Sequence, residues 1–200
     1  MPKPFEHSVF INIPYDKSYE NIFVAMVASL VSIGKIPRCT LEIAESGEGR
    51  LNRIYELLEE CAVSIHDLSH VRTPVRFNMP FELGIACSLK RYKGSHSYIL
   101  FEKVGYRLDR TLSDIKGRDP YIYKGSMLGI VNCVLDALGS ETCRHKPSRV
   151  HKFAQDLLRI AKDTKKERKI ESIFKRAVFH ELINVALTLA VDRGFIPENK

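Results

Sequence analysis

A carboxylate interrupts an apolar stretch in residues 76–91, RFNMPFELGIACSLKR, where Glu82 stands between Phe81 and Leu83. A glutamate in a first helical turn ordinarily serves the positive end of the helix dipole, worth about 0.3–1 kcal/mol. Here Phe81, Leu83, Ile85 and Ala86 surround it with apolar groups, which on burial would raise its pKa by desolvation. Gly84 thins the same helix so that something can approach closely. Asp67, in IHDLS one loop earlier, could bring a second carboxylate into the same crevice. Paired acids in unequal environments suit hydrolysis or transfer at a sugar carbon: one attacks or stabilises an oxocarbenium-like centre, and the other orients hydroxyls.

Other residues could complete such a site. Asn12 and Tyr15 follow the run SVFINI and could hydrogen-bond a base or stack on it; a turn built by Pro14 and Asp16 is the alternative. ESGEGR (45–50) has two glycines ahead of a helix and could cradle a phosphate on backbone amides. It lacks the Lys-Ser/Thr of a P-loop, and a plain turn fits it as well. Arg38, Arg50 and Arg76 are candidate phosphate partners, Arg76 first because its loop faces Glu82. His66 and Asp67 are neighbours on an extended run, so their side chains leave on opposite faces and cannot share a metal ion. The five cysteines (39, 61, 87, 133 and 143) form no CxxC pair and read as thiols in a reducing compartment. No metal site is expected.

Positioning these residues requires a scaffold, and the apolar periodicity supplies one. Short β-rich runs at 8–13, 37–44, 62–68, 97–102 and 120–124 alternate with helical patterns at 18–34, 49–61, 80–92, 107–117 and 126–139. Such alternation predicts a parallel sheet with helices on both faces. Five strands in roughly 140 residues predict a flavodoxin-like three-layer sandwich of order 2-1-3-4-5, where ligands bind beyond the carboxyl ends of the strands. Beyond a polar turn at 140–148, residues 149–163 and 165–192 read as two basic helices. The second carries an apolar stripe (Ile170, Ile173, Phe174, Ala177, Val178, Leu182, Val185, Ala186, Leu189) that needs a partner.

The pair IHDLS and NMPFELGIA resembles a pattern found in nucleoside 2-deoxyribosyltransferases and related TIR-like, nucleotide-binding bacterial proteins. There, an aspartate-bearing strand end is followed by a helix opening Glu-Leu-Gly-x-Ala. VFINIPYD (9–16) is similar to the first-strand segment of those folds, and the likeness covers about residues 7–139. Some relatives of this TIR-like group serve in antiphage defence. The resemblance implies that Glu82 is the catalytic carboxylate and that Asp67 contacts the ribose. Phe10, Asn12, Tyr15, Ser69, Arg76, Asn78 and Met79 are then expected to line the substrate site, with NAD⁺ or another nucleotide as substrate rather than cofactor. Met79-Pro80 stands where the deoxyribosyltransferases usually carry a small residue, which points to a different substrate.

Charge divides the chain. Residues 1–143 hold 17 basic and 17 acidic side chains, whereas 144–200 hold 14 and 7, so the whole net charge of +7 lies in the last part. We therefore expect an α/β domain over 1–143 and a basic helical extension over 144–200. The dense run at 162–176 has acids (Asp163, Glu167, Glu171) interspersed at helical spacing, which favours ion pairs and contact between copies of the chain over nucleic acid. No run reaches the roughly 18–20 apolar residues of a membrane span, and no apolar leader opens the chain, so a cytoplasmic protein is expected. Three functions stay open. They are cleavage or transfer at the N-glycosidic bond of a nucleotide, nucleotide sensing through the C-terminal helices without cleavage, and a nucleic-acid-associated role.

Overall fold

In the computed structural model, residues 5–43, 49–70, 76–115, 117–140 and 145–198 are described. Five strands, β1 (Ser8–Asn12), β2 (Ile36–Arg38), β3 (Val63–Asp67), β4 (Ser97–Glu102) and β5 (Tyr121–Ile122), form one sheet in the order β2-β1-β3-β4-β5. Every pairing is parallel. The fold is the flavodoxin-like α/β sandwich that the alternation predicts.

α1 (Glu20–Ser32) follows β1 and is buried on nearly its whole circumference; only Asn21 reaches solvent. The sequence anticipates this, because ENIFVAMVASLVS has no polar face wide enough for a surface helix. Ser29 and Ser32, the exceptions inside it, bond their hydroxyls to the carbonyls of Ala25 and Ser29 in the same helix. One side of α1 packs on the sheet. The other is covered by α5 (Met127–Leu138), α6 (Pro147–Glu167) and α7 (Arg176–Asp192), whose apolar side chains join Phe23, Val27 and Val31 in one cluster. The opposite face of the sheet carries α2 (Arg50–Glu59) and α3 (Asn78–Lys93), packed on Phe10 through Ile54, Leu57, Leu58, Ile85 and Ala86. A short α4 (Leu108–Thr111) follows β4.

The C-terminal stripe is buried against the chain's own α1: Ile173, Val178, Leu182 and Ala186 lie in the main core, while Ala177 is exposed. The two expected helices, 149–163 and 165–192, are present, but the break between them falls later and is longer. α6 runs through Glu167, Lys169 turns the chain in a left-handed conformation (φ 52°), and α7 starts at Arg176. What ties the connector down is Glu20, almost fully buried. Its carboxylate accepts from Lys165 Nζ at 2.8 and 3.0 Å and from the Ile173 amide at 3.2 Å. A buried carboxylate recruits a cation and an N–H donor from the tail because it would otherwise lose its solvation uncompensated. The basic run is thus partly consumed in ion pairs, Lys165 with Glu20 and Arg168 with Glu181. Among the described residues no helix is long and apolar enough to cross a membrane.

Candidate functional site

β1 ends at Asn12, and the two helices that follow β1 and β3 lie on opposite faces. The crevice between β1 and β3 is therefore the switch point of the sheet. α3 enters it with a free N-terminus. Asn78, Met79 and Pro80 are its first three residues, so Pro80 forgoes no intrahelical bond. Phe81 makes the first one, to Phe77 O. Glu82 is consequently in the second turn, beyond the free amides. The dipole role of a first-turn glutamate does not apply to it.

The Glu82 carboxylate is buried, with 7% of the residue exposed, and among the described residues it makes no hydrogen bond or ion pair. Desolvation pushes its pKa up to about 7, with the charge of Arg50 pulling the other way. Its own charge reaches Tyr15 and Cys39, adding to the burial that holds the Tyr15 phenol well above its usual range and the Cys39 thiol at about 12. Both neighbours are therefore neutral. The Tyr15 hydroxyl shares a 2.9 Å hydrogen bond with Thr40 Oγ1, and its ring packs on Phe174 of the α6–α7 connector at 5.2 Å between centroids.

Asn12 locks α3 to β1. Its side chain contacts Met79 O at 2.9 Å, and since a carbonyl only accepts, the contacting atom is the amide nitrogen. The same nitrogen donates to His66 Nδ1 at 2.8 Å, leaving Oδ1 as the acceptor of Asn12 without a partner among the described residues. Direction then propagates. His66 Nε2–H donates to Ser64 Oγ, Ser64 donates to His96 Nε2, and His96 Nδ1–H donates to Cys61 O, each at 2.8 Å. This buried chain has no place for an extra proton. Burial accordingly lowers the pKa of His66 to about 3 and also lowers that of His96.

Asp67 belongs elsewhere. On β3 it alternates with His66 and emerges on the α1 side, fully buried. Its Oδ1 accepts from the Ser69 amide at 2.8 Å and its Oδ2 from the Tyr123 hydroxyl at 2.9 Å. Burial raises its pKa, against the pull of Ser69, Tyr123 and Arg107. Its charge is felt by Tyr19, Glu102 and Tyr123, beyond β3, β4 and β5, whereas that of Glu82 is felt beyond β1 and β2. The expected pairing of Asp67 and Glu82 in one crevice is corrected on this geometry; each Asp67 oxygen already accepts one hydrogen bond from the protein itself.

Of the other predicted residues, Asn12, Tyr15 and Met79 gather around the β1 end with Glu82. Ser69 sits with Asp67, its Oγ accepting from the Lys103 amide and the Tyr123 hydroxyl. Phe10 lies in the core under α2 and α3, too deep along β1 to line a cleft. Asn78 is exposed at the start of α3. Arg76, the favoured phosphate partner, is paired with Asp16 at 2.6 Å, and Arg38 with Glu42 and Glu60. Arg50, the first residue of α2, is the cation that acts on Glu82. Gly84 faces away from the crevice and has no atom within 4 Å of where a Cβ would stand, and Phe81 is half exposed beside it. The glycine-rich stretch 44–48 lies outside the described residues. Sequence reading missed Cys39, Thr40 and Tyr123; the PRCTLE and PYIYK runs carry them, but nothing local distinguishes them from core residues. Among the described residues no cluster of three or more His, Cys, Asp or Glu side chains is placed to hold a metal. No protein-family model and no curated protein matches the chain.

Proposed function

We propose that the chain cleaves or transfers at the N-glycosidic bond of a nucleotide, with NAD⁺ or a nucleoside phosphate as substrate and Glu82 as the carboxylate facing the anomeric carbon. One observation carries this: a buried carboxylate at the switch point with no partner among the described residues and a pKa near 7. The other buried carboxylates among the described residues are bonded: Asp67 by Ser69 and Tyr123, Glu20 by Lys165 and the Ile173 amide, and Glu102 by Arg107. A carboxylate that pays desolvation without a bond in return is available to a positive charge. An oxocarbenium-like centre, or the cationic ring nitrogen of NAD⁺, supplies one and would draw the Glu82 pKa down as it arrives.

Asn12 Oδ1 then accepts from a sugar hydroxyl or base N–H, since both amide hydrogens are already committed. Tyr15 and Cys39, neutral at the far wall, add no charge of their own beside Glu82. Purified protein incubated with NAD⁺, nucleotides and deoxynucleotides should release free base detectable by chromatography, and Glu82→Gln should abolish it. Absence of base release across the panel would refute the enzymatic reading.

A second reading is favoured by the contact of Phe174 with Tyr15. A ligand entering beside Tyr15 would press on the α6–α7 connector, so the same crevice suits a sensor signalling through α6 and α7. Saturable nucleotide binding without base release would select it.

A further inference from the structure

A second cleft, of about 320 Å³, opens beyond β3, β4 and β5 on the α1 side, lined by Ser18, Tyr19, Ser69, His70, Lys103 and Arg107, among others. Its floor holds two buried carboxylates, Asp67 and Glu102, and both are engaged. Asp67 accepts from the Ser69 amide and the Tyr123 hydroxyl. Glu102 is gripped in fork fashion by Arg107 through Nε and Nη2. Arg107 also donates to Leu68 O at 2.9 Å and Ser69 O at 3.0 Å. A guanidinium has five N–H donors, so one Nη1 hydrogen is left over.

Lys103 is the remaining cation. Its stem lies across Gly125, where a Cβ would stand 2.4 Å from Lys103 Cε and 3.2 Å from Nζ. A side chain there would make the lysine stem shift, and the positive φ of 68° suits glycine. Among the described residues the ammonium has no acid partner, because Glu102 and Asp67 are already satisfied. His70 stands opposite, its Nδ1 3.3 Å from Asp16 and its ring 6.1 Å from that of Tyr19. What the cleft offers a visitor is the exposed ammonium of Lys103, one guanidinium hydrogen of Arg107, and the hydroxyl of Ser18. Of the acids underneath, Glu102 is paired with Arg107, and Asp67 is held by the Ser69 amide and the Tyr123 hydroxyl.

We propose that this cleft binds the phosphate group of a small ligand, with Lys103 as its principal charge partner and Arg107 as the bridge between the floor and the bound group. Several donors converging from different elements match the several acceptor oxygens of a phosphate. The inference is independent of the chemistry proposed at Glu82, whose neighbours are Tyr15 and Cys39 rather than the residues of this cleft.

The test is calorimetric titration of the full chain with inorganic phosphate, ribose 5-phosphate and ribose. Both phosphates should bind saturably and ribose should not. Tighter binding of ribose 5-phosphate would assign the cleft to a phosphomonoester, and equal binding to the free ion. Lys103→Gln should weaken binding at least tenfold, Lys103→Arg should retain it within about threefold, and Arg159→Gln, on the exposed face of α6, should leave it unchanged. Circular dichroism verifies that each variant is folded. Undiminished phosphate binding by Lys103→Gln, equal loss in Arg159→Gln, or no saturable binding to the parent chain would overturn the proposal.

Discussion

Replacing Glu82 by glutamine separates a functional carboxylate from a structural one, because the two differ in the sign of the effect on stability. Burial raises the pKa of Glu82 from 4.5 to about 7. The native state therefore holds the proton more tightly than the unfolded chain, and the charged form costs stability as pH rises from 4.5 through 7. At about 1.4 kcal/mol per pH unit, this cost reaches roughly 3 kcal/mol above pH 8 and vanishes below pH 4.5. The amide introduced by Glu82→Gln carries no charge and avoids it. The variant should match the parent chain in urea unfolding at pH 4.5 and exceed it by roughly 2–3 kcal/mol at pH 8, while base release falls at least about 100-fold. In the parent chain kcat/KM for the proposed base release should rise with pH through about 7, since the ionised form stabilises positive charge. A Glu82→Gln variant less stable than the parent at pH 8 would mean that the carboxylate holds the fold together.

Ser64→Ala should cost about 2–4 kcal/mol by stranding both imidazoles it joins, measured by urea unfolding at pH 7. Because His66 and His96 titrate below their unfolded value of 6.5, their contribution is complete above that pH. For His66 it is lost at about 1.4 kcal/mol per unit as pH falls from 6.5 towards 3, and His96 adds to the loss in the same direction; Ser64→Ala should change this acid limb of the pH–stability curve, measured by urea unfolding between pH 7 and 5. Lys165→Met should destabilise by roughly 2–3 kcal/mol by leaving Glu20 buried without its cation, and adding Glu20→Gln should recover more than half of that. Phe174→Ala should cost about 1–3 kcal/mol and lower nucleotide affinity or turnover at Tyr15; unchanged ligand behaviour in a destabilised protein would show that the contact only packs.

The sheet order was legible because alternation of short β-rich runs with helical ones leaves few topologies. α1, α2, α3 and α5 were also legible, from apolar periodicity. The place of the break between α6 and α7 was not: the stripe continues in helical register through Ile170, Ile173 and Phe174. The acceptor that interrupts it, Glu20, is some 150 residues away in sequence. The position of Glu82 was readable from its apolar neighbours. Its surroundings were not, because Cys39 comes from the far side of β1 and Arg50 from another helix. Asp67 was misassigned for a related reason. Strand alternation placed it correctly on the face opposite His66, yet that face is built by Tyr123, more than 50 residues later. Local sequence reveals which way a side chain leaves a strand and conceals what awaits it there.

The burial of α1 on all sides has a consequence in time. During synthesis the helix and four of the strands leave the ribosome long before Val150, Phe153, Leu157 and Leu182, the side chains that cover its outer face, have been made. A nascent chain of some 140 residues already contains the whole sheet, yet it exposes an uncovered apolar ridge and a Glu20 with neither Lys165 nor the Ile173 amide to receive it. Such a chain gains little by closing early and risks sticking to its neighbours. Native packing of the first helix must wait for the last, so the basic extension, for all its appearance as an appendix, acts as the closing step of biogenesis.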